Sequence, residues 1–420
     1  MKTKTVGREV ATVGVCQIFS YYHPVFAGAA IRHNRLAVEL IQNGSEVFVL
    51  TPRWKDTKAR EDVNGVTVYR IPVVRFGPKW LQYIVFGLLA PWYVLRHRKE
   101  FQVLHSFGYS VFYLPALVTA KWLAKRVIVE STLMKPGEAK RSPTLRERLE
   151  TRFLKRWDAY VGISRPLIAE FLDRGAPSEK VKLLPPSVET EWYIPASSET
   201  RRSLRDTYGY DADDVVICFV GSITQRKGAD VLVRAFSELG SQSPQYHLLM
   251  VGDYEATPAV EAFKDRLWRE IEEAGLIDQV RFTGRVDDQS GLVEYLQLSD
   301  IFAFPSRREG FGTALIEAMS VGLACVSGEM KGVVDDIVES GRNGIVVPTY
   351  GREDWAEAIR GLGESADLRD RLGREGRRMV VENFSREGAV RRQLDFYRQV
   401  LELDDGATAV TDADKDRTPG

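Results

Sequence analysis

Short apolar runs recur along this chain, each separated from the next by a segment patterned as a helix, and few architectures accept that alternation. Val10–Phe19 reads as a buried strand. Ile31–Gln42 follows with apolar residues at Ile31, Leu36, Leu40 and Ile41, and stops at Asn43-Gly44, a helix terminator. Glu46–Thr51 is the next strand. A strand, helix and strand in that order, joined over that length, imply parallel pairing. More runs follow at Val66–Ile71, Val103–His105, Val127–Val129 and Ala159–Ile163, with Leu114–Leu123 helical between two of them. The expectation is a doubly wound α/β domain.

After the Pro-containing stretch Leu184–Pro195, read as a linker, the pattern starts again. Asp214–Val220 is a strand, Gly221–Gly228 a loop and Ala229–Leu239 a helix. His247–Val251, Val280–Phe282, Ile301–Phe304, Ala324–Val326 and Ile345–Val347 are the strands that follow. Arg386–Leu403 is a final helix, and the tail from Asp404 lacks apolar bulk and is expected to be disordered. The expected domains are 1–190 and 191–385, with helix 386–403 packing back on the first. A length of 420 residues suits two such domains.

With 44% hydrophobic and 28% charged residues, the chain is neither collagenous, disulfide-stapled nor disordered throughout. Cys16, Cys218 and Cys325 lie far apart in apolar runs, which excludes a disulfide framework and reads as core packing. Met1 to Val10 has no long apolar stretch behind it, so the expected location is the cytoplasm. The net charge of zero hides an asymmetry: residues 1–200 carry 30 basic and 18 acidic side chains, residues 201–420 carry 28 and 40. Either the halves face different partners, or they neutralise one another.

Trp80–Leu95 is the most hydrophobic stretch, too short to span a bilayer and broken by Gln82 and Pro91. Burial in the core is the preferred reading; the other is an interfacial helix lying on an anionic membrane. Lys135–Arg156, with eight basic residues against three acidic ones, supports the second, since Arg141, Arg148, Arg152 and Lys155 recur near helical spacing.

Two motifs carry chemistry. Glu309-Gly-Phe-Gly-Thr-Ala-Leu-Ile-Glu317 follows the strand Ile301–Phe304 directly and opens a helix, whose free N–H groups and dipole suit a phosphate. Glu309 stands on the loop and Glu317 about two turns along, where a carboxylate could accept from diol hydroxyls. Phe219-Val-Gly-Ser-Ile-Thr-Gln-Arg-Lys-Gly228 is again strand, loop and helix start, with Arg226 and Lys227 able to compensate a diphosphate. It is no Walker loop.

Together these residues resemble the family 4 retaining glycosyltransferases of the GT-B fold. The resemblance runs over about residues 10–403, through Phe26-Ala-Gly28, Ala159-Tyr-Val-Gly-Ile-Ser164, Val251-Gly-Asp253, Phe282-Thr-Gly-Arg-Val286, Pro305-Ser306, the glutamate pair and Gly341-Arg-Asn-Gly344. It implies two Rossmann-like parallel-sheet domains facing a cleft, and sugar transfer from a nucleotide diphosphate donor to a glycan, lipid-linked or small-molecule acceptor, with no metal, cofactor or nucleic acid. By motif position it implies that Arg226 and Lys227 hold the diphosphate and Glu317 the ribose. Backbone at Arg285 and Val286 would face the base. Glu309 and the amides of Phe311, Gly312 and Thr313 would address the sugar, with Gly28 closing over the phosphate. Two departures stand out: Val129-Glu-Ser-Thr lacks the family's usual histidine, and Pro185-Pro-Ser-Val-Glu189 replaces Pro-Asn-Gly-Val-Asp. The first leaves a second reading, a non-catalytic nucleotide- or glycan-binding subunit; a GT-B epimerase fits the fold but not the motif order.

Among the remaining residues, His23 reads as a surface loop residue, and His33 and His97 as surface residues. His105 either lines the cleft or packs. Trp80, Trp92 and Trp122 either form an acceptor groove or, as most aromatics at such spacing do, fill the core.

Overall fold

The computed structural model describes residues 12–20, 22, 28–54, 57–74, 79–132, 145–240, 243, 245–254, 260–286 and 288–402. His23, Arg141 and the tail 404–420 lie outside the described residues. The chain divides into two units, Met1–Leu184 with Ala389–Gly420, and Pro185–Gly388.

The first unit runs β1 (Gly14–Ile18), α1 (Gly28–Gln42), β2 (Glu46–Pro52), β3 (Arg60–Val63), β4 (Val66–Ile71), α2 (Lys79–Arg96), β5 (Val103–Phe107), α3 (Leu114–Trp122), β6 (Arg126–Ser131), α4 (Leu145–Leu154), β7 (Ala159–Gly162), α5 (Arg165–Asp173) and β8 (Val181–Leu183). Its eight strands form one sheet in the order β3-β4-β2-β1-β5-β6-β7-β8. All pairs are parallel except β3–β4. β3 was not expected. It is the first arm of a hairpin whose turn, Asn64-Gly65, takes positive φ at both residues, the geometry that matches strand twist in a two-residue loop.

The second unit runs α6 (Ser198–Tyr208), β9 (Val215–Val220), α7 (Ala229–Gly240), β10 (Tyr246–Val251), α8 (Val260–Glu273), β11 (Val280–Gly284), α9 (Gln289–Leu298), β12 (Ile301–Phe304), α10 (Thr313–Val321), β13 (Ala324–Gly328), β14 (Ile345–Val347), α11 (Arg352–Gly363) and α12 (Ala366–Phe384), after which α13 (Arg386–Glu402) leads into the first unit. Its six strands are all parallel, in the order β11-β10-β9-β12-β13-β14. The stretch read as a linker is tied down at Val188, whose N–H donates to the Phe384 carbonyl at 2.9 Å, and at Glu189, which pairs with Arg386.

Both faces of the first sheet are covered, which is why its strands read as unbroken apolar runs. Successive side chains alternate between the faces. Val15, Val49 and Ile128 pack with Ala37 and Leu40 of α1 and with Val390, Leu394, Phe396, Tyr397 and Val400 of α13. Cys16, Phe48, Leu50 and Val129 pack with Phe86, Ala90 and Val94 of α2, with Ala116 and Leu117 of α3, and with Trp157. All three cysteines are buried.

Polar groups occupy the middle of this core. Arg32 on α1 pairs with buried Glu130 on β6. His105 Nε2 lies 3.5 Å from Glu130, and its Nδ1 is hydrogen-bonded to the Tyr397 hydroxyl at 2.8 Å. Burial works against the Glu130 charge, but the Arg32 guanidinium and the two nearby histidines outweigh it and hold the carboxyl down to about 2.

Five aromatic placements differ from expectation. His33 is buried, with its ring centroid 3.7 Å from that of Phe107, and burial holds its pKa well below the usual imidazole value. His97 is buried as well, against Tyr69 at 4.2 Å and hydrogen-bonded to Glu100 at 2.8 Å. Both satisfy a ring nitrogen or stack on a neighbour, which the expected surface position would not require. Trp80, Trp92 and Trp122 are not core: all three are exposed. Correspondingly, α2 buries only one face, at Phe86, Ala90 and Val94, so the preferred reading of Trp80–Leu95 as a core helix holds for half of it.

Candidate active site

β9 and β12 are neighbours at the centre of the second sheet, and the chain leaves them in opposite directions, towards β10 and β13. The crevice beyond their carboxyl ends is the topological switch point where open α/β sheets bind ligands. Both motifs sit there. The Gly221–Gly228 loop leaves β9, and the loop 305–312 leaves β12.

The two loops are bonded to each other. The Arg307 N–H donates to the Arg226 carbonyl at 2.9 Å, and Arg226 Nη1 donates to the Arg308 carbonyl at 3.1 Å. Gly228 lets them approach: at φ +75°, a Cβ there would lie 2.0 Å from the Pro305 carbonyl oxygen. Glu309 is the hub. It lies 2.5 Å from Lys227 Nζ and 3.5 Å from Arg226 Nη1, and accepts from the Ser306 hydroxyl at 2.8 Å. Only 8% of Glu309 is exposed, so these bonds offset the cost of burying its charge. Underneath, Arg307 forks onto buried Asp230 in the first turn of α7, at 2.7 and 2.9 Å, and Asp230 also accepts from Arg234 at 2.6 Å.

The structure therefore brings Arg226, Lys227 and Glu309 into contact. Gly312 caps α10 in the left-handed region, φ +112°, with Thr313 as the first helical residue. The N–H groups of such a helix start have no intrahelical acceptor. Glu317 lies four residues beyond Thr313 on the same helix, a rise of about 6 Å. The Phe311 side chain is buried and meets Phe384 edge-on at 5.4 Å, so only its backbone is free to address a ligand. Arg285 and Val286 follow β11, two strands from β9, on a loop pinned by the Gly252 N–H to the Gly284 carbonyl at 3.1 Å. Gly28 begins α1, in the other unit.

Five residues around the site were not assigned a role from sequence. Ser306 orients Glu309, and Tyr350 in turn donates to the Ser306 carbonyl at 3.2 Å. Asp230 and Arg307 brace the loops. Arg308 has its Nε buried with no hydrogen-bond partner. A serine four residues before a helix-opening Gly-Phe-Gly was legible as Pro305-Ser306, and an acid in a helix first turn as Asp230; their partners were not. Among the described residues no cluster of three His, Cys, Asp or Glu is placed to hold a metal ion.

Residues 200–379 match the sequence family described as glycosyl transferases group 1, and residues 27–187 match the glycosyl transferase 4-like domain. This chain belongs to the group 1 glycosyltransferases. The glycosyltransferase is 28% identical to a D-inositol 3-phosphate glycosyltransferase of Saccharomonospora viridis over 89% of each chain. It is also 28% identical to the mannosylfructose-phosphate synthase of Agrobacterium fabrum over 56% of this chain and 50% of that one. Apart from the first, the curated relatives are matched over about half their length. Among solved structures it resembles Anabaena HepE in complex with UDP and glucose (TM-score 0.74, 16% identity, 92% of this chain and 99% of that one). It likewise resembles sucrose-phosphate synthase of Thermosynechococcus elongatus (TM-score 0.76, 20% identity, 93% of this chain and 100% of that one). The fold of the glycosyltransferase is GT-B, in two parallel-sheet α/β units. Among the described residues, no helix is long and apolar enough to cross a membrane.

Proposed function

We propose that this glycosyltransferase moves one sugar from a nucleotide diphosphate donor to a glycan, lipid-linked or small-molecule acceptor, retaining the anomeric configuration, without a metal, in polysaccharide or glycoconjugate synthesis at the cytoplasmic membrane face. The observation carrying this reading is the meeting of Arg226 and Lys227 with Glu309 beside the start of α10. Two cations against one carboxylate leave an excess positive charge where the helix dipole also favours an anion. That is the environment a departing diphosphate needs, and it performs the charge stabilisation that a divalent ion would otherwise supply.

In this reading Arg226 and Lys227 hold the diphosphate. Glu317 takes the ribose hydroxyls and the backbone at Arg285 and Val286 the base. Glu309 and the amides of Phe311, Gly312 and Thr313 orient the sugar. The bond from the sugar C1 to the phosphate oxygen breaks as the acceptor oxygen bonds C1 on the same face. The acceptor's hydroxyl proton passes to the leaving phosphate oxygen. A chain with this charge arrangement has the means for turnover, so the non-catalytic reading is set aside. The UDP bound in HepE makes UDP the first nucleotide to test. The experiment is calorimetry with UDP, GDP and ADP, then a nucleotide-sugar panel with membrane extract as acceptor, with and without chelator. Product is read by mass and its anomeric configuration by proton NMR. No nucleotide binding at millimolar concentration would sink the reading.

A further inference from the structure

On a surface helix the exposed positions are normally charged. On α2 they are not. Before the terminal Arg96, its exposed side chains among the described residues are all large and apolar, Trp80, Ile84, Leu88, Leu89, Trp92 and Leu95, with Leu88 at 71%, Trp80 at 58% and Trp92 at 54%. The spacing of Trp80, Ile84, Leu88, Trp92 and Leu95 keeps them on one helix face, a stripe about 22 Å long. The opposite face, Phe86, Ala90 and Val94, is in the core, so the exposed stripe is not packing turned outward by a loose fit. α3 lies alongside α2 and adds Val118 and Trp122, the latter 80% exposed. Soluble monomers seldom carry so continuous an apolar surface unless something covers it.

The charges around it say what. Residues 79–129 contain seven basic residues and a single acidic one, Glu100. Lys121 and Arg126 are engaged by Asp158. Arg96, Arg98 and Lys99 are exposed at the carboxyl end of the stripe, with the Arg96 guanidinium 5.5 Å over the Trp92 ring. Tryptophan, leucine and arginine side by side suit the boundary between acyl chains and head groups, where aromatic rings sit half-wet and guanidinium groups reach anionic phosphates. A second copy of the chain fits less well. A two-fold pairing of α2 would bring one basic end against another whether the helices ran parallel or antiparallel, since Lys79 begins the helix and Arg96 ends it.

We infer that the exposed face of α2, extended by Trp122, inserts into the interface of an anionic bilayer with the helix lying along it. This deepens the membrane-face part of the proposed function and rests on it, and it names the surface. Docking here would hold the first unit at the bilayer independently of catalysis, so lipid binding and nucleotide binding are separate measurements.

The test uses the full chain with vesicles of phosphatidylcholine alone and of phosphatidylcholine mixed with phosphatidylglycerol. Flotation is expected with the anionic vesicles at low salt. Trp80→Ser with Leu88→Ser and Trp92→Ser should lower the bound fraction about tenfold, and Arg96→Glu with Arg98→Glu and Lys99→Glu by a similar factor. UDP calorimetry on each variant should be unchanged, whichever way the lipid result falls. In the unaltered protein, brominated lipids should quench tryptophan fluorescence, a readout that stands even if the apolar variant fails to fold. Undiminished flotation of the folded apolar variant, or no quenching, would overturn the inference. So would a dimer in light scattering that the apolar variant converts to monomer, since a second copy would then cover this face.

Discussion

The Nζ of Lys227 lies 2.5 Å from Oε1 of Glu309, joining loops 82 positions apart in the chain. A donor diphosphate entering this site would compete with Glu309 for the ammonium. Lys227→Ala should therefore raise the UDP dissociation constant about 10- to 100-fold, because a charge-assisted hydrogen bond is worth about 1.5–3 kcal/mol. Glu309→Gln releases Lys227 and should leave UDP affinity equal or tighter while lowering turnover about 100-fold or more. Calorimetry and initial rates on the two variants check the division; a large loss of UDP affinity in Glu309→Gln would contradict it.

Glu317 should behave in the opposite way. It lies inside α10, beyond the Gly312 cap, so its proposed work is on the nucleoside half of the donor. Glu317→Ala should weaken UDP binding by roughly tenfold, the scale of a hydrogen bond to a charged group. Turnover at saturating donor should fall much less. A fall in kcat with unchanged KM for donor would place Glu317 at the reacting sugar instead.

Sequence made the two-sheet plan legible because both faces of the central strands are buried, so each of those strands stands out as an apolar run. Val66–Ile71, Ile301–Phe304 and Ile345–Val347 coincide end to end with strands β4, β12 and β14. β3 escaped because Arg60-Glu-Asp-Val carries charge on an edge strand; the Asn64-Gly65 turn signal beside it was the available clue. Spacing pointed to Arg226, Lys227 and Glu309, but their contact depends on β9 and β12 being sheet neighbours, which no local pattern encodes. His33 and His97 failed for a different reason: a polar ring on a helix, or in the turn just after one, is silent about burial until its aromatic neighbours, Phe107 and Tyr69, are placed.

The brace beneath the site is as testable as the site. Asp230 is 3% exposed and accepts both arms of the Arg307 fork. Asp230→Asn removes the charge and leaves two arginines facing a neutral amide. The cost should be about 1–3 kcal/mol, below the range for fully buried pairs because Arg307 and Arg234 keep some contact with water. Arg307 also bonds the Arg226 carbonyl, so UDP affinity should fall alongside the denaturant midpoint. Lost affinity with unchanged stability would separate the two roles.

Acid should destabilise the first unit through Glu130. Its pKa is about 2 in the folded protein against an ordinary 4.5, so the unfolded chain binds the proton first. The stabilisation is complete above about pH 4.5 and is lost as pH falls towards 2. Glu130→Gln should be less stable at neutral pH, since Arg32 loses its partner, and should lack this share of the acid slope. Urea unfolding of both proteins between about pH 7 and 3 gives the difference. Equal slopes would remove Glu130 from the acid response.

Gly228 separates conformational strain from close approach. Gly228 and Gly209 have nearly the same φ, +75° and +78°, but a Cβ at Gly209 has nothing within 4 Å while one at Gly228 meets the Pro305 carbonyl oxygen at 2.0 Å. Gly209→Ala should therefore cost only the left-handed strain, about 1–2 kcal/mol, with UDP binding intact. Gly228→Ala carries that same strain and must also push the loop after β9 away from the loop after β12. Arg226 and Lys227 ride on the first of these loops and Glu309 on the second, so the displacement acts on their contacts directly. The expected result is a larger fall in melting temperature than for Gly209→Ala, together with a UDP affinity at least about tenfold weaker. If both alanines cost the same stability and neither changed UDP binding, the junction of the two loops would not be what assembles the site.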